Sequence, residues 1–174
     1  MIQLATAERH EGRIAADLGS VEACPLAPDL LAEIASGLAL SEVPWEPEGT
    51  TDDTRRYRQL LSTDHYDAWL IWWPPGTGLD LHDHGGSAGA FTVVAGALHE
   101  TVAAGAALSS HRLRAGETSR FGIDHVHAVS NDGDRPATSV HVYSPPLQSM
   151  DFYERGAAGV VSTHHDPGDW RAVA

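Results

Sequence analysis

Within the segment DLLAEIASGLAL, apolar residues fall at Leu30, Leu31, Ile34 and Leu38. Spacings of three and four place them on one face of a helix, predicted over Asp29–Leu40. Pro28–Asp29 supplies the start signal, and Pro44 and Pro47 end it. Glu46–Thr54 is acidic and turn-rich and reads as a surface loop. From Arg55 onward the pattern changes to short runs punctuated by Gly, Pro, Asp and Asn: RRYRQLLS, AWLIWWP, AFTVVAGALHETV, LSSHRLRAG, TSRFG, VHAVSN and TSVHVYSP. This rhythm predicts an antiparallel all-β sandwich or barrel rather than βαβ units. The expectation is a single domain over 1–174, with a helical N-terminal portion to about residue 45 and a barrel from about 54 to 155. Residues 1–25 are mixed in character. After Tyr153 the chain is rich in Gly and Ala, then polar, so His164 and His165 read as solvated surface.

The length of 174 residues fits one domain, since domains commonly hold about 100–200. With 42% hydrophobic and 20% charged residues, the chain can bury a core without disulfides or structural metal. The net charge of −13 argues against nucleic acid and anionic membranes as partners, because both call for basic surface. The longest apolar runs, Ala68–Pro75 and Ala90–Leu98, fall far short of the roughly 18 residues of a membrane span. The opening MIQLATAERHEGR has acidic residues and no apolar core, so no secretory signal is expected. One cysteine, Cys24, excludes an intrachain disulfide and fits a cytoplasmic location.

Eleven histidines, concentrated between positions 82 and 141, change the picture toward a metal site. His82 and His84 form H-x-H in GLDLHDHGG. On an extended strand both imidazoles project to one face and Asp83 to the other. Two such donors suit a first-row transition metal that draws further ligands from another strand. Gly76 precedes His82 by five intervening residues, and Gly89 and Gly96 follow His84. Further on, Gly116, Gly122, Asp124, His127 and Asn131 form a second spaced set. Together these resemble the two cupin motifs, G-x5-H-x-H-x(3,4)-E-x6-G and G-x5-P-x-G-x2-H-x3-N. The H-x3-N spacing selects His127, not His125, as third ligand. Gly89 stands where the first motif has its glutamate, and Gly122 and Asp124 replace the Pro and Gly of the second. The implied site is three neutral histidines with up to three open positions, unlike a two-histidine, one-carboxylate triad. His99, His111 and His125 do not fit the motif spacing and read as non-ligands.

In SVHVYSPP, Ser139, His141 and Tyr143 share one strand face, and Val140 and Val142 the other. A buried line of hydroxyl, imidazole and phenol supplies its own hydrogen-bond partners and can present the tyrosine to a ligand. LHDHGGSAGAFTVVAGALHET and SVHVYSPPLQSM resemble the signature segments of the cysteine dioxygenase family, small iron cupins that oxidise cysteine to its sulfinate. The likeness is densest from about Arg55 to Tyr153. It implies a cupin jelly-roll barrel, Fe(II) held by His82, His84 and His127, and an outer line of Ser139, His141 and Tyr143. It also implies an arginine that clamps the substrate carboxylate. YRQLL places that role on Arg58, with Arg56 on the same face as second candidate; a guanidinium pairs bidentately with a carboxylate. Animal members carry a cysteine that forms a thioether with the active-site tyrosine. Gly89 holds that position here, so Tyr143 is expected uncrosslinked, and Cys24 is read as an ordinary small residue. Trp69, Trp72 and Trp73 are expected to cover barrel surface or line the site mouth.

The implied activity is a thiol dioxygenase acting on L-cysteine and O2, with Tyr143 contacting the reacting groups and no obligate protein partner. Two alternatives stand beside it: another small thiol such as 3-mercaptopropionate, and a non-catalytic cupin that binds a metal or small acid. Hydrolysis by Ser/His chemistry has little support, because no G-x-S-x-G elbow is present and Ser139-x-His141 has no identifiable acid partner.

Overall fold

A computed structural model describes residues 24–42, 47 and 54–168. One helix, α1 (Pro28–Ser41), precedes eleven strands: β1 (Arg56–Ser62), β2 (Asp67–Trp73), β3 (Gly78–His82), β4 (Ala88–Ala95), β5 (Ala97–Ala104), β6 (Ala107–Arg114), β7 (Thr118–Phe121), β8 (His127–Ser130), β9 (Ala137–Ser144), β10 (Met150–Arg155) and β11 (Val160–Asp166). They form two sheets, ordered β1-β2-β9-β4-β7 and β11-β10-β3-β8-β5-β6. The ladders are antiparallel, as the alternating runs and short turns predict.

The helix starts with Pro28 in its first turn, where a missing N–H costs nothing, and Asp29 beside it suits the positive end of the dipole. It runs one residue beyond the predicted span at each end. It stops at Ser41, where the Glu42 N–H closes onto the Leu38 carbonyl. Pro44, expected to contribute to that stop, lies outside the described residues, as does most of the expected Glu46–Thr54 loop. Leu31 and Ala35, one turn apart, are fully buried against Ala68, Leu70, Ala90, Val140 and Val142 on the outer face of the first sheet. Each large apolar side chain so buried contributes roughly 1.5–3 kcal/mol. Between the sheets lies a second core of Trp73, Phe91, Val93, Leu98, Leu113, Phe121 and Val129. Strand β9 is therefore buried on both faces: its valines meet the helix, and Ser139, His141 and Tyr143 point into the barrel.

Three expectations shift. The run AFTVVAGALHETV breaks at Gly96, whose φ of +76° suits glycine, and β4 and β5 enter different sheets. A Cβ there would sit 2.7 Å from the Pro136 carbonyl oxygen. The H-x-H pair is not wholly on a strand: β3 ends at His82, and His84 lies in the following turn. The barrel also extends past 155, because β10 and β11 form a hairpin through Asp166. His164 and His165 sit on β11 and are exposed, as expected of surface residues.

Candidate active site

His82 closes β3 and stands opposite His127, the first residue of β8. His84 reaches the same point from the turn, whose Gly85 and Gly86 both have positive φ. Asp83 points away, accepts hydrogen bonds from the Asp151 N–H (3.0 Å) and the Tyr153 hydroxyl (2.8 Å), and ties β10 to this segment. The three imidazoles are buried, and their candidate donor atoms lie within 4.8 Å of one another.

Each ring has a legible orientation. The His82 Nδ1–H donates to the Asp80 carbonyl (2.8 Å), and the His127 Nδ1–H donates to Glu100 Oε1 (2.6 Å). Both rings therefore keep Nε2 free as a lone-pair donor. The Nε2 of His84 is buried with no hydrogen-bond partner, an orphan that a cation would satisfy. Burial, followed by the neighbouring His127, lowers the His82 and His84 pKa values well below the ordinary range. Burial also lowers His127, against the opposing pull of Glu100. Three neutral imidazoles converging on one point fit a divalent first-row ion.

The β9 line is continuous. The Trp73 indole N–H can only donate, and it donates to Ser139 Oγ (2.8 Å). The Ser139 hydroxyl is thereby directed to His141 Nε2 (2.8 Å), and His141 Nδ1–H donates to the Tyr143 oxygen (3.1 Å). The phenolic proton is left for a partner in the barrel. Burial holds the His141 pKa down at about 3 and pushes the Tyr143 phenol up, so both are neutral near pH 7. The Tyr143 ring lies 5.1 Å from that of His84.

A cavity of about 690 Å³, counting its open mouth, adjoins this cluster. Tyr143 and Phe152 line it, and their rings pack against His84 and His82 respectively. Ile71, Leu79, Leu147 and Met150 make its other walls largely apolar, and Arg55 and Asp166 bring opposite charges to it. The Arg55 guanidinium lies 5.1 Å from the Trp73 ring centroid, makes no ion pair with a described carboxylate, and has its pKa lowered by burial.

Neither arginine expected at the site lines this cavity. Arg58 faces outward, half-exposed, and pairs with Glu42 at 3.3 Å. Arg56 shares its face, whereas Tyr57 lines the cavity together with Arg55. Successive strand side chains alternate, so a one-residue change of phase moves every side chain to the other face. The phase was not readable from β2, because Trp69, Ile71 and Trp73 on one side and Leu70 and Trp72 on the other are all apolar. Of the tryptophans, expected at the barrel surface or the site mouth, Trp69 lines the cavity and packs in the core, Trp73 is core and Trp72 is buried.

Glu100 is a further residue at the cluster that motif spacing does not point to. It is fully buried on β5, two residues after the buried Leu98, in a period-two pattern where a charged residue is out of place. That break in the pattern was the available signal. Burial would raise its pKa, but hydrogen bonds from His125 and His127 outweigh burial and hold the carboxyl well below the usual range. Of the histidines read as non-ligands, His99 pairs with Asp132 at the surface, and His111 and His125 approach Glu100. Glu100, His125 and His127 form a second cluster of closely spaced donor atoms.

Among the described residues no helix is long and apolar enough to cross a membrane. A recombinant oxalate oxidase solved in complex with glycolate superposes with a TM-score of 0.52 at 21% identity, over 59% of this chain and 57% of that one. The protein TT1209 from Thermus thermophilus gives 0.49 at 19% identity, over 60% of this chain and 90% of its own. A cupin-superfamily sugar phosphate isomerase from Silicibacter pomeroyi gives 0.48 at 22%, over 63% and 76%. The oxalate oxidase likeness, at that identity, shows a shared cupin fold and nothing finer. A model of the family described as cysteine dioxygenase type I matches residues 29–156, a span that runs from α1 through β10 and contains His82, His84, His127 and the β9 line. The chain belongs to the cysteine dioxygenase type I family.

Proposed function

We infer that the protein is a mononuclear iron thiol dioxygenase that oxidises L-cysteine to cysteine sulfinate. The observation that carries the reading is the placement of Arg55. A cation without a carboxylate partner among the described residues faces a largely apolar cavity, bounded by Tyr143, beside three convergent imidazoles. Such a cavity suits a small acid whose other end reaches the histidines. Family membership supplies the reaction type.

His82, His84 and His127 would hold the ferrous ion, each through Nε2. When bound, that ion favours the thiolate form of a thiol and supplies one-electron chemistry to O2. The remaining work belongs to the chain. Arg55 pairs bidentately with the substrate carboxylate and thereby fixes the distance of the thiol from the imidazoles. Leu79, Leu147, Met150 and Phe152 exclude water and strengthen that pairing. Tyr143, protonated and steadied by His141, donates a hydrogen bond into the cavity. The net reaction adds both atoms of O2 to sulfur, RSH + O2 → RSO2H, and needs no external reductant.

The apolar walls favour a second reading, 3-mercaptopropionate, which has the same thiol and carboxylate but no ammonium to desolvate. Anaerobic loading with ferrous iron, followed by O2 uptake and sulfinate assays on both thiols, tests the two. One sulfinate per O2 with cysteine supports the first reading. Preference for 3-mercaptopropionate supports the second. Bound iron without uptake on either thiol points to a binding cupin.

A further inference from the structure

Glu100 lies under the histidine cluster, not in it. On β5 it stands directly across from His111 of β6 and diagonal to His127 of β8, whose own partner is Val102. It is fully buried, and a buried carboxylate is costly unless its oxygens are satisfied. No Lys or Arg among the described residues pairs with it; imidazoles do, together with the Ser119 hydroxyl. His127 Nδ1 lies 2.6 Å and His125 Nε2 3.3 Å from Oε1, and His111 Nε2 lies 3.0 Å from Oε2. His125 is held by stacking on Phe121 at 4.6 Å, and His111 is half-exposed.

An ionised carboxylate only accepts, so it selects one tautomer of His127: proton on Nδ1, lone pair on Nε2 facing His82 and His84. His82 obtains the same tautomer from a neutral backbone carbonyl. The difference is charge. Gly89 stands where the cupin motif has a carboxylate, which leaves the three-imidazole cluster with no anion of its own.

We propose that Glu100 is the positioning residue of the metal centre, orienting His127 and supplying, one imidazole removed, the negative charge that the three ligands lack. This rests on the metal-centre part of the reading above and is independent of which thiol is oxidised. It also gives His125 a role, sharing Oε1 with His127 without entering the ligand set, while His111 stands 3.0 Å from Oε2.

The first measurement needs no variant. Long-range ¹H–¹⁵N correlation spectra of the metal-free protein report which nitrogen of His127 carries the proton. Nδ1–H is expected, and Nε2–H would overturn the proposal. The second uses Glu100→Gln and Glu100→Leu, with Co(II) dissociation constants measured by chelator competition and the visible Co(II) spectrum recorded. Outer-shell partners of ligating histidines typically change metal affinity about 10–100-fold. Glu100→Leu should weaken Co(II) by that factor and lose the tautomer preference. Glu100→Gln, whose amide oxygen still accepts, should keep the tautomer and weaken Co(II) less. The His82 signals should stay in place in both. Unchanged Co(II) affinity in a folded Glu100→Leu or Glu100→Gln protein would overturn the charge role. If Glu100→Leu does not fold, the wild-type tautomer and Glu100→Gln decide. Wild-type protein that passes these tests yet oxidises no thiol would leave Glu100 in its role and reject the dioxygenase reading.

Discussion

Gly89 and Tyr143 face each other across the β4–β9 ladder, and a Cβ on Gly89 would lie 3.0 Å from Tyr143 Cδ1 and 2.6 Å from Phe121 Cε2. The position, where the family resemblance would lead one to look for a thioether-forming cysteine, has no room here for a methyl group. Gly89→Ala is expected to destabilise the protein by about 1–3 kcal/mol, the usual range for overpacking a core. Urea denaturation measures it. Intact mass should show no loss of two hydrogens, because Cys24, the only cysteine, is exposed whereas Tyr143 is buried in the barrel.

Arg55 and Arg58 separate the two strand phases experimentally. Arg55→Ala should raise KM for cysteine about 10–100-fold, since a hydrogen bond to a charged group is worth about 1.5–3 kcal/mol and about 1.4 kcal/mol is a factor of ten. Cysteamine, which has no carboxylate, should be turned over equally by wild type and variant. Arg58→Ala should leave KM within about twofold, because an exposed pair such as Arg58–Glu42 contributes little. An unchanged KM in Arg55→Ala would remove the clamp.

Tyr143→Phe should lower kcat and leave the carboxylate-dependent part of KM unchanged, because only the phenolic proton is lost. A general acid or hydrogen-bond donor of this kind contributes about 10²-fold or more. With burial pushing the phenol upward, no basic limb from Tyr143 is expected in the activity profile up to about pH 10, its ordinary pKa. A kcat for Tyr143→Phe equal to wild type would exclude the tyrosine from the reaction.

His141 sets an acid limit on the metal-free fold. Its pKa is about 3 in the folded protein against 6.5 in the unfolded chain, so between these values the unfolded state binds the extra proton. Stability is complete above pH 6.5 and is lost as pH falls toward 3. The slope is about 1.4 kcal/mol per pH unit, on the order of 5 kcal/mol across the window for this residue alone. His82 and His84, lowered in the same direction, steepen the loss. Urea titrations at pH 7, 6 and 5 should show a falling midpoint, and His141→Gln should flatten the curve.

Chelator-stripped protein should melt lower than ferrous- or Co(II)-loaded protein, because an ion that binds the native state alone stabilises it by mass action. Thermal melts at rising Co(II) should climb with log concentration. A flat response would argue against a high-affinity site at His82, His84 and His127.

Much of this protein is written locally. The helix follows from the spacing of Leu30, Leu31, Ile34 and Leu38 behind Pro28, the strands from alternation and turn residues, and the histidine set from H-x-H together with the likeness to the cupin motifs, which picks His127. The β9 line was equally legible, because period-two geometry alone puts Ser139, His141 and Tyr143 on one face. Tertiary structure decided what local pattern leaves degenerate. RRYR offers arginines in both strand phases, and β2 is apolar on both faces, so it takes the cavity lining and the contact of Arg55 with Trp73 to show that Arg55 faces inward. Glu100 meets His127 through a ladder joining residues 27 positions apart, and Asp166 reaches the cavity on a hairpin with no strong pattern of its own. Spacing along the chain specifies which groups can act. Their partners depend on strand register, which is set by the burial of whole faces and not by neighbours in sequence.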